Sequence, residues 1–317
     1  MVMLGDSLQA RERIRGAVHY TPLMYSKTLS AMSGNEVYLK CESFQKTGSF
    51  KIRGAYNAVS LLTDEQKAKG VVTGSSGNHG QALAYAANLQ GVRCVVVMPE
   101  DASLAKIAAC KGYGGEVLLH GVTSEARLEK AQELVESEGL TMVHPFDNPH
   151  VIAGQGTISL EIMEQLPEVE YILAPIGGGG LLSGVAMAAK EVCPSIVVLG
   201  IEPAVGPRLR YSWDKGQVSE LEQWSPSVAD GLRTRRPGKL PFELTRKYVD
   251  DLVQVEEQEI IDATRLIMER AKLVVEPSGA VTAAAVLARK LGVQGKIVVC
   301  VVSGGNVELA KLAKIIG

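Results

Sequence analysis

Apolar runs of strand length alternate along the chain with stretches whose apolar positions return every three or four residues. The runs are VVTG at 71–74, VRCVVVMP at 92–99, EVLLHG at 116–121, MVHP at 142–145, YILAPI at 171–176, SIVVLGIEP at 195–203 and KIVVCVVSGG at 296–305. Between them lie NHGQALAYAANLQ, SEARLEKAQELVESE, LLSGVAMAAKEV and EEQEIIDATRLIMERAKL, each with helical periodicity. Val- and Ile-rich strands without polar alternation are buried on both faces, and helical connections make their sheets parallel with right-handed crossovers. The expected class is α/β. The first four strands form a compact block, read as a small mobile lobe of residues 70–147. Residues 1–69 and 148–317, with EVYLKCES at 36–43 as a further strand, form a large lobe around a second sheet. The polar segment from Trp213 to Pro241 breaks the alternation and reads as irregular surface or a loop bordering a site. No solenoid repeat or low-complexity tract interrupts the pattern.

Bulk composition narrows the partners. With 317 residues, 46% of them hydrophobic, the chain buries a large core without staples. A net charge of −2, from 33 basic and 35 acidic residues without like-charge blocks, points away from nucleic acid and from a membrane surface and toward a small molecule. The five cysteines show no C-x-x-C pairing, and Cys94 and Cys300 sit in apolar runs as buried thiols do, which suits a reducing compartment. The N-terminal stretch has no long apolar core and no segment reaches membrane-spanning length, so a cytoplasmic location is expected.

The chemistry begins at Lys51, in Thr47-Gly48-Ser49-Phe50-Lys51-Ile52-Arg53-Gly54-Ala55. Glycine and a hydroxyl residue before FKIRGAYNAVSLL predict a loop capped by Ser49, with Phe50 and Lys51 in the first helical turn. An ammonium there is opposed by the helix dipole by about 0.3–1 kcal/mol, whereas a neutral or imine-linked lysine avoids most of that cost. Turn-forming clusters follow strands at four places: Gly74 to His79, Gly177 to Gly180, Glu202-Pro203 and Ser303 to Asn306. Ligands of parallel sheets bind outside the carboxyl ends of strands, so these clusters border one crevice. Gly177, Gly178, Gly179 and Gly180 lead into LLSGVAMAAKEV, and successive N–H groups at a helix start make a nest for a phosphate dianion. A nicotinamide-dinucleotide fingerprint is narrowly missed, with Ser183 closing Gly178-x-Gly180-x-x-Ser183 and Glu202 in the place of a ribose-binding acid. A P-loop fails because Leu181-Leu182 follows the glycines. An imine-forming lysine and a phosphate nest without a nucleotide motif together suggest pyridoxal 5′-phosphate.

SFKIRGA, SSGNHGQA, VIAGQGT, PIGGGGLLSG, EPSGA and VVSGGNV occur in that order, and through them the chain resembles the serine/threonine dehydratase and serine racemase group of fold-type II pyridoxal-phosphate enzymes over residues 7–312. The resemblance implies a tryptophan-synthase-β-like architecture, two parallel-sheet lobes with the cofactor in the cleft. It implies that Lys51 is the Schiff-base lysine and catalytic base, that Gly177 to Gly180 hold the phosphate, and that Asn78 bonds the ring hydroxyl. Ser303 then faces the pyridine nitrogen, Phe50 packs beside the ring and Glu276 lies near the pyridine edge. Ser75, Ser76, Asn78 and His79 match the loop that receives the substrate α-carboxylate, and Ser76 also matches the serine that returns a proton from the opposite face in racemases. Arg127 matches an arginine that meets a second carboxylate.

Two departures accompany the match. Metal-activated relatives carry an acid at the place of Arg208, six residues after Glu202, so no metal site of that type is expected. The chain ends twelve residues after Gly305, so no C-terminal regulatory domain is expected. The implied activity is dehydration of L-threonine or L-serine to a 2-oxo acid and ammonia, with serine racemase or 3-hydroxyaspartate dehydratase as the alternative and an NAD-dependent oxidoreductase as a remote one. A homodimer is the assembly the family implies.

Overall fold

The structure, a computed structural model, describes residues 2–75 and 77–317, with Ser124 as backbone only. Its strands are β1 (Leu23–Tyr25), β2 (Glu36–Cys41), β3 (Val71–Gly74), β4 (Cys94–Met98), β5 (Glu116–Leu119), β6 (Thr141–Met142), β7 (Tyr171–Pro175), β8 (Val197–Pro203), β9 (Asp251–Val255) and β10 (Ile297–Val302). They form a six-stranded sheet of order β1-β2-β10-β7-β8-β9 and a four-stranded sheet of order β5-β4-β3-β6. All pairings are parallel except that of β1, which runs antiparallel to β2 along Leu23↔Lys40 and Tyr25↔Tyr38. At this edge a three-residue strand needs no crossover helix to lie beside its neighbour, and the rest of both sheets is parallel as expected.

β10 lies inside the larger sheet, paired to β2 through Val298↔Val37 and to β7 through Val298↔Tyr171. Val298 to Val302 are fully buried because helices cover both faces, which is why the sequence shows an unbroken apolar run. Parallel order brings the carboxyl ends of β7, β8 and β10 to one edge, and with them the Gly177, Glu202 and Ser303 turns.

Helix Lys51–Ser60 is held against helix Pro149–Gln165 at a glycine crossing, where a Cβ on Gly154 would stand 2.6 Å from the Gly54 Cα. The motifs KIRGA and VIAGQGT thus place two backbones in contact and fix the helix that carries Lys51. Its start differs from the expected cap. Phe50 occupies the N-cap position with φ −54° and ψ −20°, and the buried Ser49 hydroxyl bonds no partner among the described residues. Ser49 instead pairs as an isolated bridge with Gly304, and Phe50 N–H donates to Ser303 O at 3.0 Å. Pairing with the loop after β10 replaces side-chain capping and sets Lys51 at the sheet's carboxyl edge.

Candidate active site

Lys51 Nζ donates to Pro145 O at 2.7 Å and lies 5.2 Å from the centre of the Phe50 ring. Burial pulls its pKa from 10.5 down to about 8, with the Glu276 carboxyl opposing the shift. Desolvation therefore makes this lysine easier to deprotonate than an ordinary one, an effect the sequence alone ascribes to the helix dipole.

The glycine loop begins after β7 and enters helix Gly180–Val192, with Gly179 at the N-cap in a left-handed conformation, φ 93°. The N–H groups of Gly177 to Gly180 donate to no acceptor among the described residues, so four donors are collected at a helix N-terminus. Packing demands glycine here as well. A Cβ on Gly178 would lie 2.3 Å from the Phe146 ring, and one on Gly180 would lie 2.9 Å from the Phe146 backbone. Pro145 and Phe146 consequently join the lysine to the loop. From below, Arg208 Nη1 donates to Ile176 O at 3.1 Å and steadies the strand end just before Gly177.

Asn78 starts helix Asn78–Leu89 and donates through Nδ2 to Glu276 Oε1 at 2.8 Å, a contact between the two sheets' carboxyl-edge loops. Burial, reinforced by the nearby Asp230 charge, raises the Glu276 pKa from 4.5 to about 8, so the carboxyl is largely neutral at pH 7. Ser303 is buried at the end of β10. These residues and Lys51 meet on one edge.

The expected carboxylate loop is reached in part. Ser75 follows β3, and its hydroxyl accepts from Gly77 N at 3.4 Å. Ser76 lies outside the described residues. His79 is buried, with Nε2 bonded to Val143 O at 3.0 Å; burial and the Lys51 charge hold its pKa down at about 3, so the ring is neutral. What His79 adds to the loop is thus its place at the helix start. Arg127 is buried, at 8% exposure, rather than part of a solvated helix face. Its backbone packs directly behind Gly74, one residue from Ser75, and its Nη1 donates to Val122 O at 3.3 Å.

Glu202 accepts from Leu209 N at 3.1 Å and Arg210 N at 3.0 Å at the start of helix Arg208–Lys215. It is fully buried beside Arg208, and that removes the ribose role from the nicotinamide reading. Sequence reasoning did not single out Pro145, Phe146 or Asn306, although Asn306 stands inside the quoted VVSGGNV. The first two carry no local signal, being defined by what packs on them.

The family model described as pyridoxal-phosphate dependent enzyme matches residues 14–304. The chain belongs to that family. An L-threonine ammonia-lyase of Thermotoga maritima is 46% identical over 316 residues, covering 100% of this chain and 78% of the relative. A serine racemase of Dictyostelium discoideum is 44% identical, covering 99% of this chain and 98% of the relative. The solved structure of maize serine racemase superposes with a TM-score of 0.94 at 41% identity, over 99% of this chain and 96% of that one. The residues present in this pyridoxal-phosphate enzyme fit its cofactor. A desolvated amine suits an aldehyde, four orphaned N–H groups suit a phosphate, and a hydroxyl at Ser303 suits a pyridine nitrogen that carries no proton.

Proposed function

We propose that this chain is a pyridoxal-phosphate-dependent ammonia-lyase that dehydrates a small β-hydroxy amino acid, L-threonine or L-serine, to a 2-oxo acid and ammonia. The observation that carries the reading is the buried Lys51 amine, with its pKa drawn down to about 8, joined through Pro145 and Phe146 to the glycine loop. The bound cofactor supplies an electron sink that makes the substrate α-proton removable. Lys51 takes that proton as a base whose pKa is already close to working pH. Gly177 to Gly180 bind the cofactor phosphate through backbone N–H groups, Asn78 donates to its ring hydroxyl, and Phe50 packs beside its ring. Ser75, Ser76, Asn78 and His79 receive the substrate carboxylate. Ser303 offers the ring nitrogen a neutral hydroxyl, and Glu276, largely neutral itself, adds no strong charge at the pyridine edge. With Ser303 and Glu276 both uncharged, the residues beside the ring nitrogen would leave it unprotonated.

Residues 70–147 act as a lobe closing on the large lobe of 1–69 and 148–317, with Asn78 on one side and Glu276 on the other. Exposed Tyr20, Tyr25, Met32 and Phe44 near the β1 edge support assembly as a homodimer. Five free cysteines, four of them buried, support a reducing cytoplasmic setting.

Borohydride treatment of the cofactor-loaded protein should fix the cofactor on Lys51, identified by peptide mass, and Lys51→Ala should lose both this adduct and turnover. A variant retaining near-normal activity would overturn the assignment. Serine racemase is the second reading, favoured by the similarity to the Dictyostelium protein. Scoring L-threonine, L-serine and L-threo-3-hydroxyaspartate for 2-oxo acid and for the D-enantiomer separates the two activities.

A further inference from the structure

Asn306, in the loop after β10, donates through Nδ2 to Thr47 O at 2.7 Å and to Asn78 Oδ1 at 2.8 Å. Thr47 O is a backbone carbonyl and only accepts, so it dictates which way the Asn306 carboxamide points. The second Asn306 N–H then requires Asn78 to turn its oxygen toward Asn306. Asn78 must in consequence turn its NH2 toward Glu276, to which it donates at 2.8 Å, keeping a second N–H for a further acceptor. The Asn306 side chain is itself confined. A Cβ on Gly48 would stand 2.2 Å from Asn306 Oδ1, and Gly48 adopts φ 71°, so the loop before Lys51 closes over this carboxamide. Gly305 N–H donates to Gly48 O at 2.9 Å and ties the same two loops together.

We propose that Asn306 is a positioning residue: it sets the amide orientation of Asn78 and thereby makes Asn78 a donor to the ring hydroxyl of the cofactor. The inference rests on the cofactor reading above. The Thr47 carbonyl fixes one amide, that amide fixes the second, and the orientation of the second decides whether the cofactor oxygen would meet a donor or an acceptor. Asn306→Asp removes both donors, repels Thr47 O and leaves Asn78 free to flip, donating to Asp and presenting its own oxygen to the cleft. Asn306→Ala removes the constraint without reversing it.

The test titrates the cofactor-free protein with pyridoxal 5′-phosphate, following fluorescence for affinity and the absorbance maximum of the bound cofactor for the state of its ring hydroxyl. Asn306→Asp should weaken binding about tenfold, the worth of one strong hydrogen bond, and displace the absorbance maximum, with Asn306→Ala doing less of both. In an Asn78→Ala background the two substitutions at 306 should no longer differ in the absorbance maximum, because the part of their effect that runs through Asn78 is gone. Asn78→Asp, which places an oxygen at the same spot directly, should reproduce the spectral displacement even if Asn306→Asp folds poorly. Equal losses for Asp and Ala at 306 with an unmoved absorbance maximum, or an undiminished spectral difference between them in the Asn78→Ala background, would reduce Asn306 to a loop tether and overturn the proposal. Failure of the cofactor reading itself looks different, since the wild-type protein would then take up no cofactor.

Discussion

Replacing Arg53 with Met tests a buried charge cluster two residues from Lys51. Arg53 has no exposed surface, and all its N–H groups are engaged. Nε and Nη2 grip Glu42 at 2.8 Å each, Nη1 and Nη2 grip Glu161 at 2.6 and 2.8 Å, and Nη1 also reaches Thr157 Oγ1 at 3.2 Å. Lys40 Nζ completes the cluster, bonding Glu161 at 2.6 Å, Thr21 O at 2.8 Å and Gln165 Oε1 at 2.9 Å, so two cations balance two anions. Met removes one cation and leaves both carboxylates buried with only Lys40 between them. Breaking a buried pair from one side costs about 3–5 kcal/mol, a large share of the roughly 5–15 kcal/mol that holds a domain folded. The pH dependence gives the loss a signature. Burial alone pushes Glu42 up, but Arg53, helped by Lys40 and Thr21, reverses that and holds the folded carboxyl below its ordinary 4.5. A depressed folded pKa contributes stability above the unfolded value and loses it as pH falls through the folded one. Without Arg53 burial prevails, the folded value moves above 4.5, and ionised Glu42 becomes a penalty that grows as pH rises. Urea denaturation of the cofactor-loaded proteins should therefore show a gap between wild type and Arg53→Met that is wider at pH 7 than at pH 4.5, with turnover reduced because the Lys51 helix loses its anchor. A gap under about 1 kcal/mol that does not change with pH would refute the reasoning, since that is the size of a solvated ion pair.

Gly178→Ala forces a methyl into the Phe146 ring and should destabilise the fold by about 1–3 kcal/mol while weakening cofactor affinity, read by thermal midpoint and by titration; unchanged values in both would contradict the packing described. Lys51→Met should stabilise the cofactor-free chain at neutral pH. Because the folded Lys51 pKa of about 8 lies below its ordinary 10.5, the buried charge is a penalty, at most about 3 kcal/mol, present in full below pH 8 and gone near 10.5, so the advantage should vanish over that interval in denaturation measured across pH. Arg127→Ala should raise KM for 3-hydroxyaspartate more than for serine or threonine and weaken inhibition by malonate; equal effects on all three substrates would confine Arg127 to packing behind Gly74.

The legible parts of this protein are those whose cause is local. β4, β7, β8 and β10 were readable because burial on both faces leaves a continuous apolar run, and the glycine loop because four glycines entering a helix have few other uses. β1 and β9 were not. Leu23–Tyr25 is too short to carry a period, and Asp251–Val255 at the opposite edge mixes polar with apolar positions, so each is a strand only by virtue of its neighbour. Ser49 shows the same limit within the candidate site, where a residue with good capping chemistry is drawn away by a strand-like contact with Gly304, 255 positions later in the chain.

The site itself divides along this line. The groups proposed to touch the cofactor, Lys51, Asn78, Gly177 to Gly180 and Ser303, each follow a strand end or open a helix and leave a motif behind. The groups that aim them do not. Arg53 is held by Glu42 and Glu161, 11 and 108 residues away, and Asn78 is turned by Asn306, 228 residues away. A hydrogen bond over such a separation has no sequence period and no composition, because it exists only once the loops after β3 and β10 share an edge. Substitutions at the motif residues should therefore remove chemistry outright. Substitutions at Arg53 and Asn306 should leave the groups in place but misaimed, visible first in cofactor spectrum, affinity and pH dependence.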